Sequence, residues 1–142
     1  MILIISCKKN KPVENYLGVI NIQVSGKPEA IPHFEKGLLL LHSFEYNDSR
    51  EAFRMASEID PNMAMAYWGE AMTYNHSLWH EQDFEKGSAV VQNLNKLKLD
   101  ISTTELEKDF VKAVKTLYES DSIKTNRDKN YAEFMQSLNE KY

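Results

Sequence analysis

Three histidines are the residues most able to do chemistry in this chain. His76 and His80 stand four apart in the run His76-Ser77-Leu78-Trp79-His80-Glu81, and His42 precedes His76 by thirty-four residues. Imidazoles at i and i+4 of one helix share a face and can hold a metal ion; Glu45 and Glu81 lie close by in the chain. The order is not HExxH, so the zinc-plus-glutamate arrangement of a metalloprotease is not indicated. The same histidines, with Trp68 and Trp79, also suit capture of a small ligand, because tryptophan rings stack on sugars. No glycine-rich loop follows a strand, so a phosphate cradle is absent. Glu35 and Glu70, on the first helices of the two copies, could form a buried acid pair, but exposed-face carboxylates are the common case and neither is nominated. No cofactor is implied.

Positioning these groups falls to a repeat. Moved along by thirty-four residues, the stretch 31–80 nearly superimposes on itself: Ile31 on Met65, Phe34 on Trp68, Gly37 on Ala71, Leu38 on Met72, His42 on His76, Ser43 on Ser77 and Phe44 on Leu78. A period of that length marks helix pairs that are each too small to bury a core alone, so stability resides in the contacts between copies. The expected fold is all-α: an α-solenoid of stacked antiparallel helix pairs, about six helices, behind an extended N-terminal tether.

In this register Gly37 and Ala71 take the small-residue position of the first helix, while Phe53, Ala56 and Pro61 take the aromatic, small and closing-proline positions of the second. With the runs Phe34–Phe53 and Met65–Trp79, they make the chain resemble the tetratricopeptide repeat (TPR) family, in a bacterial lipoprotein-type form. Lys36 and Glu70 stand where that pattern prefers leucine, and Leu40 replaces the tyrosine that Tyr74 supplies. The resemblance covers about one and a half repeats, thins toward the C-terminus and is absent before Glu29. It implies that the first helix of each pair lines a concave groove. Phe34, Leu38 and His42, then Met65, Trp68, Met72, Asn75 and His76, are the expected partner-binding face, with Ile31 and Leu41 beside them. Methionines adapt their shape and aromatics offer contact area, so such a face suits an extended peptide or an amphipathic helix.

The first helix is expected to begin near Ala30, with Pro32 in its first turn, and to present Phe34, Leu38, Leu41 and Phe44 at three- and four-residue steps. Asp48 with Glu51 predicts a capping box opening the second helix, whose buried stripe is Ala52, Phe53, Met55, Ala56 and Ile59; Pro61 and Asn62 end it and cap the next. A third helix, from about Met63 to His76, is apolar on almost every side, which makes it the centre of the stack. The fourth runs from about Phe84 to Leu94, and Gly87, at the place of Phe53 in the first copy, predicts a close helix approach. Ser102 with Glu105 predicts a second capping box, and Ile101 with Leu106 a hydrophobic staple. A fifth helix follows on Leu106, Phe110, Val114 and Leu117. After a polar loop at 120–125, the last carries Tyr131, Phe134, Met135, Leu138 and Tyr142. No polar capping helix succeeds it, so residues 29–142 read as the front part of a longer array.

Residues 1–7, Met1-Ile2-Leu3-Ile4-Ile5-Ser6-Cys7, resemble the end of a truncated signal peptide with a lipobox: Ile4, Ser6 and Cys7 match its aliphatic, small and lipidated positions. Residues 8–28 read as a flexible tether with one alternating patch, Val19–Val24, that fits a short strand or a segment lying extended over the first helix. A net charge of −4 with dispersed lysines excludes a nucleic-acid footprint. The expectation is a non-enzymatic scaffold of the bacterial envelope that binds a protein or peptide along its concave face and is anchored to the membrane by lipid on Cys7. Lys8 rather than aspartate after Cys7 implies an outer-membrane lipoprotein facing the periplasm. The other reading is a small-ligand-capture or metal-dependent protein using His42, His76 and His80.

Overall fold

In the computed structural model, which describes residues 17–99, 102–118 and 123–142, the chain is all-α apart from one tiny hairpin. Six helices run in order: α1 (Ile31–His42), α2 (Tyr46–Ile59), α3 (Ala64–Met72), α4 (Phe84–Lys96), α5 (Glu105–Thr116) and α6 (Lys124–Lys141), with two-residue strands β1 (Asn75–His76) and β2 (Glu81–Gln82) between α3 and α4. α1 packs along α2, α2 on α3, and α3 on α4; α3 also meets α1 and α5, and α5 carries α6. The central helix is therefore α3, of whose nine residues seven are buried. A helix apolar all round must be covered on all sides, and this one is.

Phe53 is the keystone of the first pair. Its ring, fully buried, lies between Gly37 of α1 and Gly69 of α3. A Cβ on Gly37 would fall 2.8 Å from the ring, and one on Gly69 closer still. Phe34 packs on the same ring at a centroid separation of 5.6 Å, and Ser49 Oγ donates to the Gly37 carbonyl at 2.8 Å. The second pair solves the same problem differently. Gly87 stands where Phe53 would, and the space is filled by Tyr118, whose ring presses on Gly87 and whose hydroxyl donates to the Ala71 carbonyl at 2.6 Å. Burial raises the Tyr118 hydroxyl well above the usual tyrosine pKa, so it remains a donor.

Helix ends depart from expectation. α2 starts at Tyr46, two residues before Asp48, and has no side-chain cap; Met55 faces solvent rather than the core. Met63, not Asn62, is the residue before α3, and no side chain caps it. The capping box of α5 is formed by Thr104 and Glu107, two residues later than Ser102 and Glu105. The staple proposed for Ile101 lies outside the described residues. Glu107 is buried because it does more than cap: Oε1 accepts from the Ser25 amide at 2.6 Å and Oε2 from the Ser25 hydroxyl at 2.6 Å. A buried carboxylate needs several donors, and a local cap alone supplies too few.

The same bonds correct the tether. Over residues 17–28 the chain is docked rather than free. Ile20, Ile22 and Val24 turn toward the core while Asn21 and Gln23 face out, and the Lys27 amide donates to Asp60 Oδ2 at 2.8 Å. The alternating patch is an extended segment with one apolar face and, among the described residues, no partner strand. Residues 1–16, with Cys7, lie outside the described part.

Candidate functional site

The helices α1, α3 and α5 turn their facing sides into one cleft of about 410 Å³. From α1 come Phe34, Leu38, Leu41 and His42; from α3, Met65, Trp68 and Met72; from α5, Phe110, whose ring meets Trp68 edge-on at 5.5 Å. Asn75 and Ser77 follow α3, while Ile22 of the N-terminal segment and Tyr131 and Met135 of α6 narrow the opening. Phe34 and Trp68 lie one period apart, as do Leu38 and Met72, and all four line the same wall.

His76 leaves this set. α3 stops at Met72, where the buried Thr73 turns its hydroxyl back to the Glu70 carbonyl at 2.7 Å and Arg50 of α2 binds Thr73 Oγ1 at 3.0 Å and its carbonyl at 3.2 Å. With those carbonyls occupied, and Thr, Asn and Ser disfavouring helix, the chain passes into β1, whose residues Asn75 and His76 pair with Gln82 and Glu81. Strand alternation then sends Asn75 to the cleft and His76 to the other face. There the His76 ring stacks on Tyr46 at 4.0 Å, Nε2–H donates to the Thr73 carbonyl at 3.1 Å, and Nδ1 lies 3.7 Å from Glu81. His80 sits exposed at the hairpin tip with φ 54°. The expected convergence of His42, His76 and His80 is thus not found, and among the described residues no three His, Cys, Asp or Glu side chains come together as a metal site. Their equivalence depended on a last helical turn that the second copy lacks.

Glu70 is likewise corrected. It is buried, and Arg54 Nε contacts its Oε1 at 2.7 Å while Arg54 Nη2 donates to the Tyr74 hydroxyl at 2.9 Å. Arg50 lies over the Tyr74 ring at 4.1 Å. Four apart on α2, the two arginines hold the C-terminal end of α3, favourable both as hydrogen bonds and against its dipole.

Two polar atoms in the cleft wall have no partner among the described residues: Trp68 Nε1 and Asn75 Oδ1, both buried. At the mouth, Phe44 adopts φ 62° with about half its surface, 52%, exposed, its ring 5.7 Å from Trp79 and 6.4 Å from Tyr46. Phe44, Tyr46, Tyr131 and Met135 were not among the sequence-derived groove residues. The α6 stripe that holds Tyr131 and Met135 was visible, but a periodicity says which face is apolar and not which cavity it covers.

Set against family models, curated proteins and solved structures, the chain matches none of them.

Proposed function

We propose that this is a non-enzymatic binding protein of tetratricopeptide-like build, which takes an apolar segment of a partner protein or peptide along the α1–α3–α5 cleft. The observation that supports the reading is the shared wall: side chains thirty-four residues apart, Phe34 with Trp68 and Leu38 with Met72, stand side by side in one cleft, as the inner face of stacked helix pairs requires. Methionine and aromatic side chains dominate it, a composition that adapts to apolar partners. The test is selection from a random peptide library. Apolar extended sequences should be enriched by the wild type, and Met72→Glu, which places a carboxylate in the half-buried wall, should weaken a selected peptide by at least about tenfold. A selected peptide that binds both proteins equally overturns the assignment.

The same proposal places the protein at the bacterial envelope, facing the periplasm from the outer membrane, through lipid on Cys7. Its support is the Ile4, Ser6, Cys7 pattern and the Lys8 that follows. No described helix is long and apolar enough to cross a membrane. Metabolic labelling with a radioactive fatty acid should mark the wild type and not Cys7→Ser; equal labelling removes the anchor from the proposal.

A further inference from the structure

The cleft has a chemical preference that apolar shape alone does not give. None of the described residues lining it is Asp, Glu, Lys or Arg, yet its wall holds an indole N–H and an amide oxygen that no described residue satisfies. A buried donor and a buried acceptor left alone are each unfavourable, because both gave up water and received nothing in exchange. One group that accepts from Trp68 Nε1–H and donates to Asn75 Oδ1 would satisfy both. A carboxylate accepts but cannot donate, an ammonium donates but cannot accept, and either would lose its hydration in a wall whose described residues include no Asp, Glu, Lys or Arg.

We infer that the cleft is a small-molecule site for an uncharged ligand with an apolar body and one amide head, the carbonyl meeting Trp68 and the N–H meeting Asn75. The volume, about 410 Å³, lies in the range of small-ligand pockets. Both polar atoms are buried on residues that line the cleft, and Met65 and Met72, which line it with them, are the side chains best able to move aside, since methionine reorients at low cost. Phe44 is the left-handed residue that closes the C-terminus of α1, with the Glu45 N–H donating to the Leu40 carbonyl at 3.0 Å and the Phe44 N–H to that of Leu41 at 3.1 Å, and this turn brings its ring to the cleft. The inference goes beyond the partner-protein reading, since it concerns a ligand small enough to lie wholly inside.

Calorimetric titration with three probes of equal chain length tests it: octanamide, octanoate and octylammonium at pH 7. Octanamide should saturate the wild type, and the two charged probes should bind at least about tenfold more weakly. In a Trp79→Phe background, bound octanamide should shift the fluorescence of Trp68. Trp68→Phe, which removes the N–H together with part of the ring system, and the nearly isosteric Asn75→Leu, which removes the amide, should each weaken octanamide by about tenfold. The wild-type comparison needs no variant to fold. Absence of octanamide saturation at millimolar concentration, charged probes that match octanamide, or two folded variants that bind like the wild type would each overturn the inference. Octanamide binding together with failure of the peptide selection would overturn only the partner-protein reading; the reverse pattern would overturn only this one.

Discussion

Gly69 shows how a single side chain can decide against its own helix propensity. Alanine is better than glycine inside a helix by about 1 kcal/mol, so Gly69→Ala would stabilise an isolated α3. In the folded protein its Cβ would meet the Phe53 ring, which is fully buried and also hemmed in by Gly37. Overpacking of this sort costs about 1–3 kcal/mol, and the net effect expected in urea denaturation is destabilisation. Phe53→Ala, which empties the same space, should cost about 3–5 kcal/mol. Tyr118→Phe keeps the ring on Gly87 but removes the hydroxyl donor to the Ala71 carbonyl, which retains the Tyr74 N–H at 3.2 Å; a loss of about 0.5–1.5 kcal/mol is expected by the same measurement. Phe53 was legible as a core residue from its place in the period. Its two glycine neighbours were not both legible: the period assigns the small position of the third helix to Ala71, whereas the ring rests on Gly69, because contact follows where the helices cross and not which positions are equivalent.

Among the elements, α6 is the most lightly held, and its fastening has a pH dependence of known sign. Asp109 of α5 accepts from Lys141 at 2.6 Å and from Lys112 at 2.9 Å, and these two ammonium groups lower its carboxyl from 3.8 to about 2. The unfolded chain therefore takes up this proton at a higher pH than the folded one. The contribution is fully present above about pH 4 and is lost as the pH falls toward 2. Thermal melts of the wild type should show this acid loss, and the double substitution of Lys112 and Lys141 by methionine should reduce it. Helices themselves were the legible part of the architecture: all six follow from apolar spacing, and Pro32 marks the start of α1 as expected. Their ends were less legible. Thr104 and Glu107 lay within the same short window as Ser102 and Glu105, and the choice between them is made by Ser25, 82 residues away from Glu107. The hairpin at 75–82 was missed for a related reason, since Arg50 and Thr73 end α3 through contacts made between helices.

Taken as one molecule, the protein closes its first two helix pairs, α1–α2 and α3–α4, in different ways. In the first, Phe53 reaches Gly37, a neighbour already present when α2 is made. In the second, the corresponding position is Gly87, and the ring that fills it arrives with Tyr118, which bonds to Ala71 across 47 residues. Short-range contacts form early and at small entropic cost, long-range ones later. During synthesis the Phe53 site can thus close once α3 has left the ribosome, while the second stays hollow until Tyr118 at the end of α5 has followed it out. For that interval, the half-finished chain is the form most in need of protection from aggregation.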